Sequence, residues 1–363
     1  MEITARITGI KYKFTNSNLL PAFALDSNDV NKLPTACLIE HGKHQFAISK
    51  WVSPKRTRSY PYERVYNTLS YPKRITIIPI IKDEGLLGDR DYIQWDTISL
   101  MSLLDVYVIL GYYHKASKRG SKITKQQFEN SYIKSKIIEI SQYHSSALHW
   151  NLNELNANIH NIIDNVRTSY EQISIDTGVQ LHNPDGIVKF KEQIGKDVSL
   201  FMNFSRNKAL QSQSREFITI QPKERLASLT KAKITINNYL GGLYYLTVDE
   251  ILIDKTKLKL IESKHSANNL FPSRGDIKDG LLKMVLFSNL VDVEVNGITY
   301  QNEAYLNLTS SKLVGEVSSN SSKINFEEFV KANLLTNNQL LFIQEIFKEA
   351  RLNNFTINIQ HSS

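Results

Sequence analysis

Apolar and polar positions along this 363-residue chain change period several times, and the changes mark out its expected elements. Up to about residue 93 the chain reads as β-rich. "TACLIEHGKHQFAISKWV" reads as two strands turning at His41-Gly42-Lys43, and "RITIIPII" as a buried strand interrupted by Pro79. Residues 97–113, "TISLMSLLDVYVILGYY", are apolar nearly all round, which suits a core helix with Asp96 as N-cap and is too short to span a membrane. The loop "HKASKRGSK" leads to helices expected at about 124–141 and 146–174. In the second, Leu148, Leu152, Leu155, Ile159, Ile162, Val166 and Ile173 alternate spacings of four and three, a seam that suits packing within one subunit or a dimerising coiled coil.

The turn-rich stretch "TGVQLHNPDG" at 177–186 is the expected boundary, separating 1–176, β-rich then helical, from 177–363. Beyond it, "REFITIQ" reads as a strand, and a helix starts near Pro222, where proline fits the first turn. Two strands follow Gly241-Gly242. A helix at about 276–289 then gathers Ile277, Leu281, Met284, Val285 and Ser288 on one side for packing on a sheet. Strands in "VDVEVNGITY" and "AYLNLT", a helix in "FEEFVKANLLTNNQLLFIQEIFKEA" and a last strand, "FTINIQ", complete an α/β fold of the mixed α+β kind.

The stretch "TVDEILIDKTKLKLIESKH", 247–265, carries the most specific chemistry. A hairpin with Lys255-Thr256 as its loop pairs Ile253 with Leu258, Ile251 with Leu260 and Asp249 with Glu262. Side chains alternate along a strand, so Asp249, Glu262 and Lys264 then share the face that carries Ile251 and Leu260. Two carboxylates about 5 Å apart repel by about 3 kcal/mol at an effective dielectric of 20, and a divalent cation removes that penalty. Mg²⁺ in particular uses one or two carboxylates with waters and substrate phosphate oxygens.

At these residues the chain resembles the PD-(D/E)XK nuclease superfamily, to which most type II restriction endonucleases belong. The family pattern, an aspartate at a strand end and an acid-x-lysine triplet on the adjoining strand, matches Val248-Asp249 and Glu262-Ser263-Lys264 with 12 residues between the acids. Val248 stands where the family's consensus has proline. The resemblance covers about residues 223–300 and implies Asp249 and Glu262 as metal ligands for Mg²⁺ and Lys264 as the catalytic lysine. It also points to Glu224 as a further acid, although a carboxylate in the first turn of a helix is favoured by the helix dipole anyway. It implies a site-specific endonuclease acting on double-stranded DNA, working as a homodimer in a bacterial or archaeal cytoplasm. A repair or recombination nuclease, or a non-catalytic DNA-binding protein on a nuclease-like scaffold, are the alternatives.

Composition is consistent with this picture. The net charge of +8 makes a polyanionic partner plausible, and the single cysteine, Cys37, excludes an intramolecular disulfide and a cysteine-based zinc cluster. The N-terminus lacks a signal-like apolar core and no run is long enough to cross a membrane, so a soluble protein is expected. Three basic segments are candidates for DNA contact, with ordinary basic surface as the alternative. They offer Lys55, Arg56, Arg58, Tyr60 and Arg64 in 51–74, Lys118 and Arg119 in 114–122, and Arg206, Lys208 and Arg215 in 205–215. The acids of "KDEGLLGDRD", 82–91, lack the spacing of a calcium loop and read as a solvated loop.

Overall fold

The computed structural model describes residues 2–15, 19–55, 61–194, 200–203, 205, 232–238 and 243–362. The chain forms two compact units, one of residues 18–208 and one in which 1–17 join 209–363. The first strand, β1 (Glu2–Ile7), thus belongs with the C-terminal half. The boundary near 208 lies some way beyond the turn at 177–186, because helix 185–194 packs back on the long helix before that turn.

In unit 18–208 a five-stranded sheet holds β2 (Ala22–Ala24), β3 (Ala36–His41), β4 (His44–Lys50), β5 (Arg74–Pro79) and β8 (Tyr107–Gly111), in the order β2-β3-β4-β5-β8. The expected hairpin turns at Gly42-Lys43, with His41 opposite His44. A short helix, α1 (Pro61–Tyr66), precedes β5. β6 (Ile81–Asp83) and β7 (Arg90–Tyr92) form a small hairpin. The apolar run at 97–113 is not one helix. α2 (Trp95–Leu103) ends at Leu104, Asp105 takes a φ of 54°, and β8 follows, fully buried and parallel to β5. A continuous apolar run has no period to separate helix from buried strand, and strands of parallel pairs buried on both faces read this way. Gln94, not Asp96, occupies the N-cap position.

The basic loop is also a strand pair. β9 (Tyr113–Arg119) and β10 (Lys122–Phe128) form a two-stranded ribbon, so the helix expected from 124 begins only at α3 (Asn130–Ser141). Helix α4 (Ala147–Thr177) appears as expected, capped by the Ser146 hydroxyl and closed by Gly178 at φ 61°. Leu155, Ile159, Ile162, Val166 and Ile173 of its seam are buried inside the unit, which decides for packing within one subunit. α5 (Asp185–Ile194) completes the described helices of this unit.

The other unit is built on a curled sheet. Its strands are β11 (Ala232–Asn238), β12 (Leu243–Val248), β13 (Glu250–Asp254), β14 (Lys257–Ser266), β15 (Val291–Val295) and β16 (Ile298–Ser310), in the order β12-β11-β1-β15-β16-β14-β13. β17 (Glu316–Ser318) and β18 (Thr356–His361) extend it beside β16. β12 and β13 stand at opposite ends of that path yet are joined through Asp249 alone, so the sheet rolls back towards itself. β16 is one long strand where two were expected, entered by the Asn296-Gly297 turn with both φ angles positive. Helix α6 (Arg274–Phe287) links β14 to the parallel β16. The C-terminal helical stretch is two helices, α7 (Lys323–Ala332) and α8 (Asn337–Leu352), the second opened by a Thr336/Gln339 capping box. Residues 11–15 tie back to α8, where Tyr12 and Thr15 donate to the buried Glu349 carboxylate at 2.8–2.9 Å.

The acidic hairpin at 82–91 is not solvated. Asp83 is fully buried, accepting from Arg90 Nε at 2.7 Å and paired with His182 Nδ1 at 2.8 Å, while the buried Asp91 pairs with Lys55 at 2.5 Å. Alternation along two short strands turns these acids inward, and the nearby cations make their burial tolerable.

Candidate active site

β13 and β14 pair in the register derived from the sequence: Ile253 opposite Leu258, Ile251 opposite Leu260 and Glu250 opposite Ile261. The next step outward brings Asp249 beside Glu262. Asp249 lies at the break where the chain leaves its pairing with β11 and begins pairing with β14. Its Oδ2 accepts from the Ser263 amide at 2.9 Å, which holds the carboxylate against β14. No partner bonds its Oδ1 among the described residues.

Glu262 is only 1% exposed, and both its oxygens are engaged. Lys264 Nζ lies 3.0 Å from Oε1 and Lys283 Nζ 2.8 Å from Oε2. Lys264 also approaches Asp279 Oδ2 at 3.4 Å. Asp279 and Lys283 were missed by sequence reasoning. The apolar spacing of α6 turns Ile277 and Leu281 to the sheet and would leave Asp279 and Lys283 towards solvent. Instead the helix is buried nearly all round, and it approaches the sheet tightly at Gly280, where a Cβ would sit 2.7 Å from Leu306 and 3.5 Å from Lys264 Cε. That approach brings the residues flanking Gly280 onto β14. The legible signal was a glycine inside a helix, where close backbone approach is a common reason.

Electrostatics follow from this crowding. Burial, and then the Glu262 charge, push the Asp249 carboxyl up to about 6, against the weaker pull of Lys283, the Ser263 amide and Lys264. Burial alone would raise the Glu262 carboxyl too, but Lys283 and Lys264 outweigh it and hold it below the usual range. Burial works against the Lys264 ammonium, yet Glu262 and Asp279 keep its pKa above the ordinary lysine value. Lys264 is therefore charged at neutral pH. It can orient a water or stabilise negative charge, but it is not a base in this arrangement.

The raised Asp249 value sets a pH dependence. An acid whose folded pKa exceeds its unfolded one, near 3.9, binds its proton more tightly when folded, so its contribution to stability is greatest below about pH 4 and is lost as pH rises through 6. Two units correspond to about 3 kcal/mol, which solvent screening at this half-buried group reduces to about 1–2 kcal/mol. Metal-free Asp249→Asn protein should therefore be more stable than the parent at pH 7 and equal to it at pH 4. Urea midpoints in EDTA across that range measure this, and parallel profiles for the two proteins would contradict it.

Other candidate residues fall in several places. Lys55 is engaged by Asp91, and Arg64 donates to the Lys50 carbonyl at 3.0 Å. Trp51, Tyr62 and Tyr66, aromatic residues of the same basic segment, are buried core residues. Lys118 and Arg119 are exposed on the β9–β10 ribbon. Arg56, Arg58, Tyr60, Arg206, Lys208, Arg215 and Glu224 lie outside the described residues, as do "REFITIQ" and the helix from Pro222.

No family model, curated protein or solved structure matches this chain. The functional reading therefore rests on the geometry. Among the described residues no three His, Cys, Asp or Glu side chains gather into an all-protein metal cage. The open Asp249 oxygen beside Glu262 fits a hard cation that takes one or two carboxylates and completes its shell from water and substrate. A cation at Glu262 would have to take the place of one of its two ammonium partners, Lys264 or Lys283. No helix among the described residues is long and apolar enough to cross a membrane.

Proposed function

We propose that this protein is a Mg²⁺-dependent endonuclease that hydrolyses phosphodiester bonds in double-stranded DNA at specific sites, in the manner of the type II restriction enzymes whose PD-(D/E)XK motif it resembles. One observation carries the reading. Two acids set side by side by the hairpin register, Asp249 and Glu262, meet at its open end, with a charged Lys264 bonded to one of them.

In this reading Asp249 and Glu262 would hold Mg²⁺, which would supply positive charge beside the phosphate oxygens and lower the pKa of nearby water. Lys264 orients the attacking water and offsets charge that builds on the phosphoryl group in the transition state. Lys283 and Asp279 hold Glu262 and Lys264 in position. Water forms the new P–O bond and gives up a proton to bulk solvent, the scissile P–O bond breaks, and the leaving alkoxide takes up a proton from solvent, so that protons balance over the step.

One such site attacks one strand at a time, so two copies related by a two-fold axis suit a cut across the duplex. The test is incubation with mixed-sequence DNA, with and without Mg²⁺. Discrete fragments that need Mg²⁺ are expected. Intact DNA at every Mg²⁺ concentration, despite tight binding, would leave a non-catalytic DNA-binding protein. Sedimentation of the protein on a short cleavable duplex, with Ca²⁺ in place of Mg²⁺, should give two subunits per duplex. A single subunit that still breaks both strands would rule out the dimer.

A further inference from the structure

The β9–β10 ribbon carries five Lys or Arg residues and no Asp or Glu between 113 and 128. Lys115, Lys118, Arg119, Lys122 and Lys125 are all exposed. Lys118 leans towards the C-terminal end of α4, coming within 3.9 Å of where a Cβ on Gly178 would lie, and a helix C-terminus favours a cation. The other four have no ion-pair partner among the described residues, whereas Lys82, Lys55 and Arg90 nearby in the same unit are each paired with an acid.

The arrangement works against the ribbon itself. Arg119 and Lys122 are direct cross-strand partners on either side of the two-residue Gly120-Ser121 turn, and like charges in that relation are destabilising. Lys125 sits at a register irregularity with φ 50°, a backbone conformation unusual for lysine. A concavity of about 480 Å³ beside the ribbon is lined by Arg119, Lys122 and Lys125 together with Lys82 and Glu84. Glu84 is bonded to Lys82 at 2.8 Å, and it is one acid against four cations in the lining of this space.

We infer that the β9–β10 ribbon is a DNA-contacting element that lies along the duplex with Arg119, Lys122 and Lys125 on backbone phosphates. A two-stranded β-ribbon is of a size that the major groove admits, and phosphates neutralise the repulsion across the turn. The inference rests on duplex DNA as the substrate. It adds Lys122 and Lys125 to the candidate contacts and places them on a strand pair instead of the expected loop.

The test uses the full chain, a short mixed-sequence duplex and Ca²⁺ in place of Mg²⁺, with affinity measured from 50 to 200 mM salt. Arg119→Gln/Lys122→Gln/Lys125→Gln should bind at least about tenfold more weakly at low salt. Its slope of log K against log salt should be shallower by up to about 2.7, at about 0.9 per lost phosphate contact. The charge-preserving Arg119→Lys/Lys122→Arg/Lys125→Arg variant should keep the parental slope, and neither variant should unfold at a lower midpoint than the parent, the Gln variant gaining slightly from the lost repulsion. Parental affinity and slope in the Gln variant would overturn the ribbon while leaving the endonuclease reading intact, since the charges would then only guard strand edges. Failure of the parent to bind any duplex would remove both.

Discussion

Alanine at Lys264 or at Asp249 should abolish Mg²⁺-dependent cleavage of DNA, with a loss of about 10²–10³-fold or more, the scale for removing one preorganised electrostatic group from a reaction centre. Folding should survive both changes. After Lys264→Ala, the fully buried Glu262 keeps its 2.8 Å bond to Lys283, and only the longer 3.4 Å contact to the less buried Asp279 is lost. After Asp249→Ala, the burial of a charged carboxylate and its repulsion by Glu262, which together raise the Asp249 pKa, are gone, and the fold gains rather than loses in the absence of metal. DNA affinity should change little, because neither side chain lies on the basic ribbon. Single-turnover cleavage rates, with binding and melting measured on the same preparations, check all three parts. Undiminished cleavage by either purified variant would sink the assignment of the site.

A comparably large effect, on stability alone, is expected from Arg90→Ala. Arg90 donates to Asp83 Oδ2 at 2.7 Å and to the carbonyls of His182 and Asn183 at 2.6–2.8 Å, and so joins the β6–β7 hairpin to the segment after α4. Removing it leaves a fully buried carboxylate with His182 and the Gly85 amide as its remaining partners. Breaking a buried pair from one side costs about 3–5 kcal/mol, and the surviving bonds put this case near 3. The Asp83→Asn/Arg90→Ala pair should recover part of the loss, since no buried charge is then stranded. Urea unfolding of the full chain, followed by a probe within residues 18–208, reads the difference. A loss below about 1 kcal/mol would show that water or another group compensates Asp83.

The comparison of these two sites shows where the sequence was legible. The β13–β14 hairpin joins neighbouring segments through a two-residue loop, so alternation fixes both its register and the shared face of Asp249 and Glu262. The long helix α4 was equally plain, because its cap, seam and closing glycine are all local features. The acids at 82–91 were misread as solvated. Their partners Lys55 and His182 lie about 30 or more residues away, and nothing in the local pattern announces them.

By itself, then, the sequence determined the elements whose causes are local: a hairpin that sets two carboxylates side by side, a triplet that puts a lysine on the same face, a long helix with an inward seam, and an excess of positive charge. The tertiary structure decided what depends on distant pairing. It set β1 between β11 and β15, made 107–111 and 113–128 strands instead of helix and loop, drew Asp279 and Lys283 onto Glu262 and Lys264 through the close approach at Gly280, and gathered five exposed cations on one strand pair. The physical reason is common to all of these. Propensity, capping and periodicity act over a few residues, whereas strand order, helix approach and charge pairing are chosen by the energy of the whole packed unit.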